Sequence, residues 1–331
     1  MRTKPFELQY LENLQKRVRL NRNEYAGLLS LKRGYHGEIS FDKLVCDYFG
    51  SPELVLDDIN LCCEDEVVQI DKIIITTGTA YIIDVKNYRG EYCYRENGWY
   101  FNGKIMSHNI FRQIDRAHDI LEKIFVKTSV NLQIERVLVF MDPGMKLEIK
   151  QQLVQKVKTF GEVPSWLLDL QNTVGTNSAK LQSTVSMVTG AFNRYEIKRY
   201  RPLKDLGSHK LKTGIMCPKC GNFSWQQQRK YFQCSCCHFC EAKERAYVRT
   251  ICEYGVLFFK HHLARGDLRW FMGGIVNDNY LKYILHKYFT LLHNKGRYSV
   301  YQNEGKQFED WFSDKKSYFD QLQSKFETSE K

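Results

Sequence analysis

The chain has 331 residues, which leaves room for two or three domains that each bury a core of their own. Its composition of 43% hydrophobic and 14% aromatic residues excludes a mainly disordered protein, and no apolar run approaches the length of a membrane span. The 49 Lys and Arg residues against 38 Asp and Glu residues give a net charge of +11, which favours a polyanionic partner such as a nucleic acid.

The first half of the chain alternates between helical and strand patterns. Apolar residues at helical spacing predict helices, and apolar or aromatic runs broken by Gly and Asn predict strands. The predicted elements are helices at 5–20, 37–49 and 109–126, several strands between 65 and 103, and a buried strand at 134–141. This alternation indicates an α/β core that ends near residue 175.

The second half is more varied. A predicted helix at 177–198 leads into a basic stretch, a cysteine-rich segment and a further helix at 241–262. The remaining residues predict a helix, a Gly273-Gly274 turn, a helix at 278–288, a hairpin with Asn-Lys-Gly-Arg at its tip, and a last amphipathic helix. This ending resembles a small winged-helix module. The predicted domains are a core at 1–175, a helix and basic linker at 176–212, the cysteine segment at 213–240 and a helical region at 241–331.

The most informative segment is a predicted hairpin, QIDKIIITTGTAYIIDVKNYRG, at 69–90. A two-residue loop at Thr77-Gly78 would set Asp71 directly opposite Asp84. A three-residue or five-residue turn would shift the register and set Asp71 against Ile83 instead. The hairpin therefore predicts two facing carboxylates if its loop is short.

Facing carboxylates destabilise a sheet, and a bound divalent cation would reverse that effect. Magnesium takes oxygen ligands from one or two carboxylates together with substrate phosphate. Lys86 shares the face of Asp84, and Gln69 is expected opposite Lys86. The ammonium would then lie beside the cation, where it could hold an attacking water or stabilise charge on a phosphorane. The alternative is an Asp–Lys salt bridge at a solvated end of the sheet.

The order of an Asp, a hairpin and Asp-Val-Lys resembles the core of the PD-(D/E)XK nucleases, and the segment is more specifically similar to the nuclease-related domain, NERD. That family typically has a Gly-Glu pair on an early helix, Gln-Ile-Asp on the first hairpin strand, Glu-x-Lys-Asn on the second strand, and Asn-Pro-x-x-Gln at the start of a later helix. The matching residues are Gly37 and Glu38; Gln69, Ile70 and Asp71; Asp84, Lys86 and Asn87; and Asn109 and Gln113. Asp84 stands in place of Glu, and the proline is missing. The resemblance covers about 30–145 and continues more weakly through the cysteine segment.

The resemblance implies a PD-(D/E)XK restriction-endonuclease-like α/β core over 1–175, with a mixed central sheet flanked by helices. It also implies hydrolysis of phosphodiester bonds with Mg²⁺ or Mn²⁺. Asp71 and Asp84 would be metal ligands, and Glu38 would be a further ligand directly or through water. Lys86 would position the water, and Gln113 would orient Lys86 or the substrate.

Seven of the 11 cysteines lie between Cys217 and Cys252. The charged first residues do not fit a signal peptide, so we expect a cytoplasmic protein whose clustered thiols bind metal rather than form disulfides. The spacing C-x2-C-x13-C-x2-C is typical of a zinc ribbon, a closed structural site for one Zn²⁺. Its predicted ligands are Cys217, Cys220, Cys234 and Cys237.

The second cysteine pair has an alternative, because Cys237 and Cys240 have the same spacing. A predicted strand that ends at Cys234 favours Cys234 and Cys237, which leaves Cys236 and Cys240 as spare thiols. In the first pair, Gly221 follows the second thiolate, where the chain often needs positive φ.

Two functions follow as hypotheses. The first is a metal-dependent nuclease that cleaves DNA, positioned by nucleic-acid contacts of the zinc ribbon and the C-terminal module. The second is a catalytically inactive, nuclease-like protein that binds nucleic acid or acts as a scaffold, which the Asp84 departure and the missing proline favour. Convergence of Glu38, Asp71, Asp84 and Lys86 in the folded chain would favour the first. The sequence makes no prediction of the oligomeric state.

Overall fold

A computed structural model describes residues 2–174, 178–197, 206, 210–274 and 276–327. The chain forms two compact units. We call Lys32–Pro202 the sheet unit, and Met1–Leu31 together with Leu203–Lys331 the cysteine unit. Much of the predicted basic linker lies outside the described residues. Within the described ranges, no helix is long and apolar enough to cross a membrane.

Helices and strands alternate through the sheet unit and become shorter in the cysteine unit. The helices are α1 (Phe6–Gln15), α2 (Arg22–Tyr48), α3 (Arg112–Thr128), α4 (Val163–Thr173), α5 (Ser178–Tyr195), α6 (Lys243–Leu257), α7 (Arg265–Phe271), α8 (Asp278–Tyr288), α9 (Phe308–Trp311) and α10 (Lys316–Glu327). The strands are β1 (Val55–Cys63), β2 (Glu66–Ile75), β3 (Thr79–Lys86), β4 (Gly90–Arg95), β5 (Gly98–Phe101), β6 (Lys104–Ile105), β7 (Gln133–Phe140), β8 (Met145–Ile149), β9 (Lys156–Thr159), β10 (Trp225–Gln227), β11 (Tyr231–Cys234), β12 (Cys240–Ala242), β13 (Leu263–Ala264), β14 (Leu291–His293) and β15 (Val300–Tyr301).

The sheet unit is built on a five-stranded mixed sheet with the order β1-β2-β3-β7-β9. β1, β2 and β3 pair antiparallel, whereas β3, β7 and β9 pair parallel. Successive residues of a strand point to opposite faces, so β2 and β3 supply two separate cores. One core packs against the apolar stripe of α3, and the other packs against α2 and α4. This is the mixed α/β sheet flanked by helices that the sequence predicted.

Helix α2 begins 15 residues earlier than the predicted helix at 37–49. Its first turns are polar and carry little apolar periodicity, but a reciprocal cap marks their start. The Asn21 side chain accepts from the Glu24 N–H at 2.9 Å, and the Glu24 carboxylate accepts from the Asn21 N–H at 2.8 Å. Further along, Asp42 of α2 pairs with the buried Lys72 of β2 at 2.9 Å. This ion pair fixes α2 against its face of the sheet.

A second sheet of four strands, in the order β6-β5-β4-β8, follows directly after β3. Aromatic side chains fill its core against the end of the central sheet. Those that bury most of their surface are Tyr92, Tyr94, Trp99, Phe111 and Phe140. The first strand of the second sheet, β4, therefore comes directly after β3, the strand that carries Asp84.

The cysteine unit contains two small sheets, with the orders β10-β11-β12 and β13-β15-β14. The elements α6, β13, α7, α8, β14 and β15 follow one another along the chain, and a turn with positive φ at Gly273 and Gly274 separates α7 from α8. The predicted helix at 278–288 is confirmed. The last predicted helix is divided into α9 and α10.

Candidate active site and metal centre

The hairpin of β2 and β3 has the register expected for a two-residue loop. Ile75 pairs with Ala80 and Lys72 pairs with Ile83, and the Thr76 N–H bonds to the Thr79 carbonyl at 2.9 Å across the loop. The register prediction is therefore confirmed, and the alternative that set Asp71 against Ile83 is excluded.

The ladder between the two strands stops at the Lys72–Ile83 pair. Bonded pairs alternate along an antiparallel ladder, so the next N–H of β3 to bond across would be that of Val85. It donates instead to Asp71 Oδ2 at 3.0 Å. The side chain of Asp71 thus takes the place of a backbone acceptor and lets the strands separate beside Asp84.

This separation corrects the expectation that Gln69 would lie opposite Lys86. Gln69 pairs with Asn60 of β1, and its side-chain amide donates to Asp58 Oδ1. Because β2 has left β3 at this point, Gln69 follows β1.

Asp71 and Asp84 form a buried carboxylate pair, with 8% and 3% of their surface exposed. Burial, and then the charge of Asp84, raise the pKa of Asp71 to about 7, although Lys86 and the Val85 N–H oppose this shift. Asp84 Oδ2 is buried without a hydrogen-bond donor among the residues that the structure describes. The pair therefore has an unsatisfied oxygen and an excess of negative charge that a cation would compensate.

Lys86 lies at the more open end of this pair. Its Nζ donates to Asp84 Oδ1 at 2.7 Å and to Gln113 Oε1 at 3.1 Å, and 16% of its side chain is exposed. Burial favours the neutral amine, but the charges of Asp84 and Asp71 outweigh it and raise the pKa of Lys86. Lys86 is consequently a cation at neutral pH and cannot act as a general base.

Gln113 reaches Lys86 from the second residue of α3. Asn109 starts that helix without a proline, because its side chain accepts from the Phe111 N–H at 3.0 Å and its carbonyl accepts from the Arg112 N–H at 3.2 Å. The folded chain thus brings together Asp71, Asp84, Lys86 and Gln113 from three elements.

Glu38 belongs to α2, next to Gly37. A Cβ on Gly37 would lie 2.6 Å from the Cβ of Asn87, so only glycine lets the helix approach the chain just beyond β3. The Asn87 side chain donates to the Arg33 carbonyl at 2.9 Å, one turn earlier. These contacts hold the helix beside the residue after Lys86, and the role of half-buried Glu38 as a ligand stays a prediction.

Comparison with protein families provides the decisive observation. Residues 33–141 match the family model of the nuclease-related domain. This segment is therefore similar to NERD domains, and we refer to it below as the NERD domain. No curated protein and no solved structure matches the chain at a significant level.

Two side chains near the end of β3, Tyr88 and Arg33, were not predicted as site residues. Tyr88 adds a small contribution to the raised pKa of Lys86, after the larger effects of Asp84 and Asp71. Burial raises the pKa of Tyr92, and the Arg33 charge opposes this shift. The signal in the sequence was the run Lys86-Asn87-Tyr88-Arg89, which combines basic and aromatic residues directly after Asp84.

The chemistry of the pair suits magnesium or manganese. Both ions prefer oxygen ligands, and Asp84 Oδ2 is a buried oxygen to which no side chain or backbone group of the described ranges donates. Two adjacent carboxylates with one lysine also leave a net negative charge that a divalent ion would offset. Asp71 and Asp84 therefore fit the ion that the NERD resemblance implies.

Four thiols form a second candidate metal centre, in the cysteine unit. Cys217, Cys220, Cys234 and Cys237 have their sulfur atoms within 4.8 Å of one another, and this group could hold a structural metal such as zinc. The Cys217–Cys237 and Cys220–Cys234 sulfur distances are 3.7 and 3.5 Å. Tetrahedral zinc with Zn–S bonds of about 2.3 Å separates its sulfurs by about 3.8 Å, so the spacing suits zinc.

Backbone geometry supports both cysteine pairs. Gly221 has the expected positive φ of 74° and its N–H bonds to the Cys217 carbonyl at 2.9 Å. Burial opposes ionisation of Cys234, but the N–H groups of Cys237 and Cys236 lower its pKa to about 7. Cys240 lies outside the four-sulfur group, on β12. The geometry favours Cys234 and Cys237 over the alternative pair.

Proposed function

We propose that the protein is a metal-dependent nuclease that hydrolyses DNA phosphodiester bonds. The observation that carries this proposal is the buried Asp71–Asp84 pair, in which Asp84 Oδ2 has no hydrogen-bond donor among the residues that the structure describes. Lys86 is held beside this pair, between Asp84 and Gln113. The match of residues 33–141 to the NERD family model supports a nuclease-related function. The finer statement of substrate and reaction is our proposal.

The proposed chemistry assigns one task to each group. A divalent ion bound by Asp71 and Asp84, with Glu38 as a direct or water-mediated ligand, would supply Lewis-acid stabilisation of a phosphoryl oxygen. Lys86, charged and fixed, holds the attacking water and stabilises negative charge that develops on the phosphorane. Gln113 keeps the Lys86 ammonium aimed at one position, since its oxygen accepts from Nζ.

The cysteine unit supports a role in positioning DNA. The order of α6, β13, α7, α8, β14 and β15, with β13 and β14 both paired to β15, resembles a winged-helix module. On α8 the exposed side chains include Lys282, Tyr283 and His286, and the loop between β14 and β15 exposes Lys295 and Arg297. A helix and a basic loop of this kind suit contacts with bases and phosphates.

An inactive nucleic-acid-binding or scaffold protein is the second candidate. The 2.7 Å ion pair of Lys86 with Asp84 favours it, because that pair partly compensates Asp84 without any metal. Asp84 also favours the second candidate, because its side chain is one methylene shorter than the Glu typical of the family and extends less far toward a metal ion.

Cleavage assays separate the two functions. Purified protein is incubated with plasmid and labelled DNA in the presence of Mg²⁺ or Mn²⁺, alongside Asp84→Asn and Lys86→Ala. We expect both variants to lose cleavage. Asp84→Asn should keep or strengthen DNA binding because it removes negative charge near phosphate, and Lys86→Ala should retain metal binding.

The exposed α2 residues Asp47 and Lys43 provide matched controls of the same charge. Asp47→Asn and Lys43→Ala should cleave like the wild type. A wild-type protein that binds DNA but cuts neither DNA nor RNA would support the scaffold function. Cleavage that persists in both Asp84→Asn and Lys86→Ala would show that the hairpin is not the active site.

A further inference from the structure

We propose that Arg297 and Tyr298, in the loop between β14 and β15, form a site that binds an unpaired base of DNA. The base would stack on the open face of the Tyr298 ring, and the Arg297 guanidinium would bind the neighbouring phosphate. This site rests on the DNA contacts proposed for the cysteine unit, and it specifies the substrate class as DNA with a single-stranded segment.

Hydrogen bonds hold the backbone of this loop in one shape. The loop contains a short helical turn, Gly296–Tyr298. The buried Ser299 hydroxyl donates to the Gly296 carbonyl at 2.8 Å and accepts from the Lys295 N–H at 3.2 Å. The Arg265 guanidinium of α7 donates to the same Gly296 carbonyl at 3.3 Å. Because the loop is fixed before DNA binds, little conformational entropy is lost when it makes a contact.

Tyr298 projects from this fixed loop with 65% of its surface exposed. The Arg297 Cζ lies over the ring, 4.7 Å from its centroid, and Arg297 Nη2 donates to the Tyr298 hydroxyl at 2.7 Å. The guanidinium therefore covers one side of the ring, and the exposed fraction leaves the other side open to solvent. An open aromatic face beside an arginine is an arrangement that stacks nucleic-acid bases.

The sequence around this loop has an excess of positive charge. Residues 279–303 include four Lys or Arg residues and no Asp or Glu. Of these cations, Lys282, Lys295 and Arg297 are exposed. Arg297 uses one N–H group for the Tyr298 hydroxyl, and its remaining donors suit a phosphate. The loop therefore attracts a phosphate backbone and places a cation directly beside the stacking face.

The open face of Tyr298 favours an unpaired base. In a continuous duplex the flat faces of the bases are covered by their stacked neighbours, whereas a single-stranded segment leaves them accessible. Stacking on aromatic side chains depends little on sequence, because every base has a flat face. We therefore expect this site to bind gaps and single-stranded tails in preference to continuous duplex.

Binding of gapped DNA tests the site. The probe is a labelled duplex with a short single-stranded gap that contains 2-aminopurine, compared with a continuous duplex of the same sequence, both without divalent cations. Tyr298→Ala should weaken binding of the gapped DNA about tenfold and change the affinity for the continuous duplex by less than about twofold. Tyr298→Phe keeps the ring and should bind the gapped DNA like the wild type.

The fluorescence of 2-aminopurine gives a second readout, since stacking quenches it. Fluorescence should fall when the wild type or Tyr298→Phe binds, and it should not fall with Tyr298→Ala. Tyr25→Ala is the matched control, because it removes a tyrosine that is 54% exposed on α2, next to Glu24. It should bind both DNAs and quench the probe like the wild type. Retention of one zinc per chain checks that each variant is folded.

The site and the nuclease function can fail separately. Equal affinity of Tyr298→Ala and Tyr25→Ala for gapped DNA, or an equal loss for gapped and continuous DNA in Tyr298→Ala, would overturn the site even if the wild type cleaves DNA. A wild type that does not cleave, with the expected loss in Tyr298→Ala, would reject the nuclease function and support the site. A wild type that binds neither DNA would overturn the site and the DNA contacts proposed for the cysteine unit.

Discussion

Asp71 has two roles in the fold that conflict. Its carboxylate accepts the Val85 N–H and ends the strand ladder, yet it is buried beside a second carboxylate. Its pKa is consequently raised from 3.8 to about 7. The folded protein then retains a proton that the unfolded chain loses, so this group destabilises the fold progressively as pH rises through that interval.

Asp71→Asn should therefore stabilise the protein in buffer without divalent cations. The amide oxygen can still accept the Val85 N–H, and the buried charge is gone. The gain in the free energy of unfolding should be up to about 4 kcal/mol at pH 8 and should fall below about 1 kcal/mol near pH 4, where the carboxyl is protonated in the folded state and about half protonated in the unfolded chain. Urea unfolding of the wild type and the variant between these pH values measures the gain, in buffers in which the zinc stays bound. Asp47→Asn, on the exposed face of α2, should show no such gain, and an equal effect of both variants would contradict the argument.

At the same scale, one thiol distinguishes the two assignments of the zinc site. Cys234→Ser should lose the single zinc and unfold the ribbon, because binding energy in so small a module is folding energy. Cys240→Ser should keep one zinc per chain, since Cys240 lies outside the four-sulfur group. Metal analysis of the purified variants provides the measurement. Full zinc in Cys234→Ser together with loss in Cys240→Ser would reverse the assignment.

At the scale of elements, four buried charges join the zinc ribbon to two helices of the cysteine unit. Arg249 of α6 pairs with Glu241 of β12 at 2.8 Å and with Glu253 at 2.6 Å, and Glu253 pairs with Arg17, just after α1, at 2.6 Å. Arg249 also donates to the carbonyl of Met216, the residue before the first zinc ligand, at 2.7 Å. Burial opposes the charge of Glu253, but both arginines outweigh it and lower its pKa.

Glu253→Gln should destabilise the cysteine unit by roughly 3–5 kcal/mol, because it leaves two buried arginines with insufficient compensation. Glu304→Gln removes a carboxylate from a partly exposed pair with Lys306 at 3.1 Å and should cost under about 1 kcal/mol. Chemical unfolding gives both values. Backbone hydrogen exchange should become faster at 212–220 in Glu253→Gln and not in Glu304→Gln. Equal losses of unfolding free energy in the two variants would argue against a stabilising role of the buried charge network.

The elements also show what could be predicted from sequence. The Thr77-Gly78 loop set the hairpin register, because short-range turn geometry and alternation are local properties. The cysteine spacing likewise predicted the four-sulfur group. The separation of β2 from β3 depends on one side chain that replaces a backbone acceptor, and the Arg17–Glu253 pair joins residues 236 apart. Neither has a signature in local periodicity. The polar start of α2 was missed although Asn21 and Glu24 carry a recognisable capping pattern.

At the scale of the whole molecule, the net charge of +11 leads to a prediction for binding. DNA affinity should fall steeply with salt and depend little on sequence, because phosphates dominate contacts of this type. Neutralisation of six phosphates would give a slope of log affinity against log salt of roughly −5. Fluorescence anisotropy across a salt series measures the slope. A flat response between low and moderate salt would remove nucleic acid as the partner.

The division of the chain has a consequence for the order in which the protein is synthesised and folds. The sheet unit is inserted in sequence between the two parts of the cysteine unit. Arg17 must wait for the ribosome to add 236 residues before Glu253 exists, which takes about 10–50 s at typical rates. During that interval the sheet unit can fold, while α1 exposes Leu8, Leu11 and Leu14, which are buried in the finished protein. Stalled nascent chains that carry residues 1–202 outside the ribosome should therefore resist protease within 32–174 and be cut before residue 31.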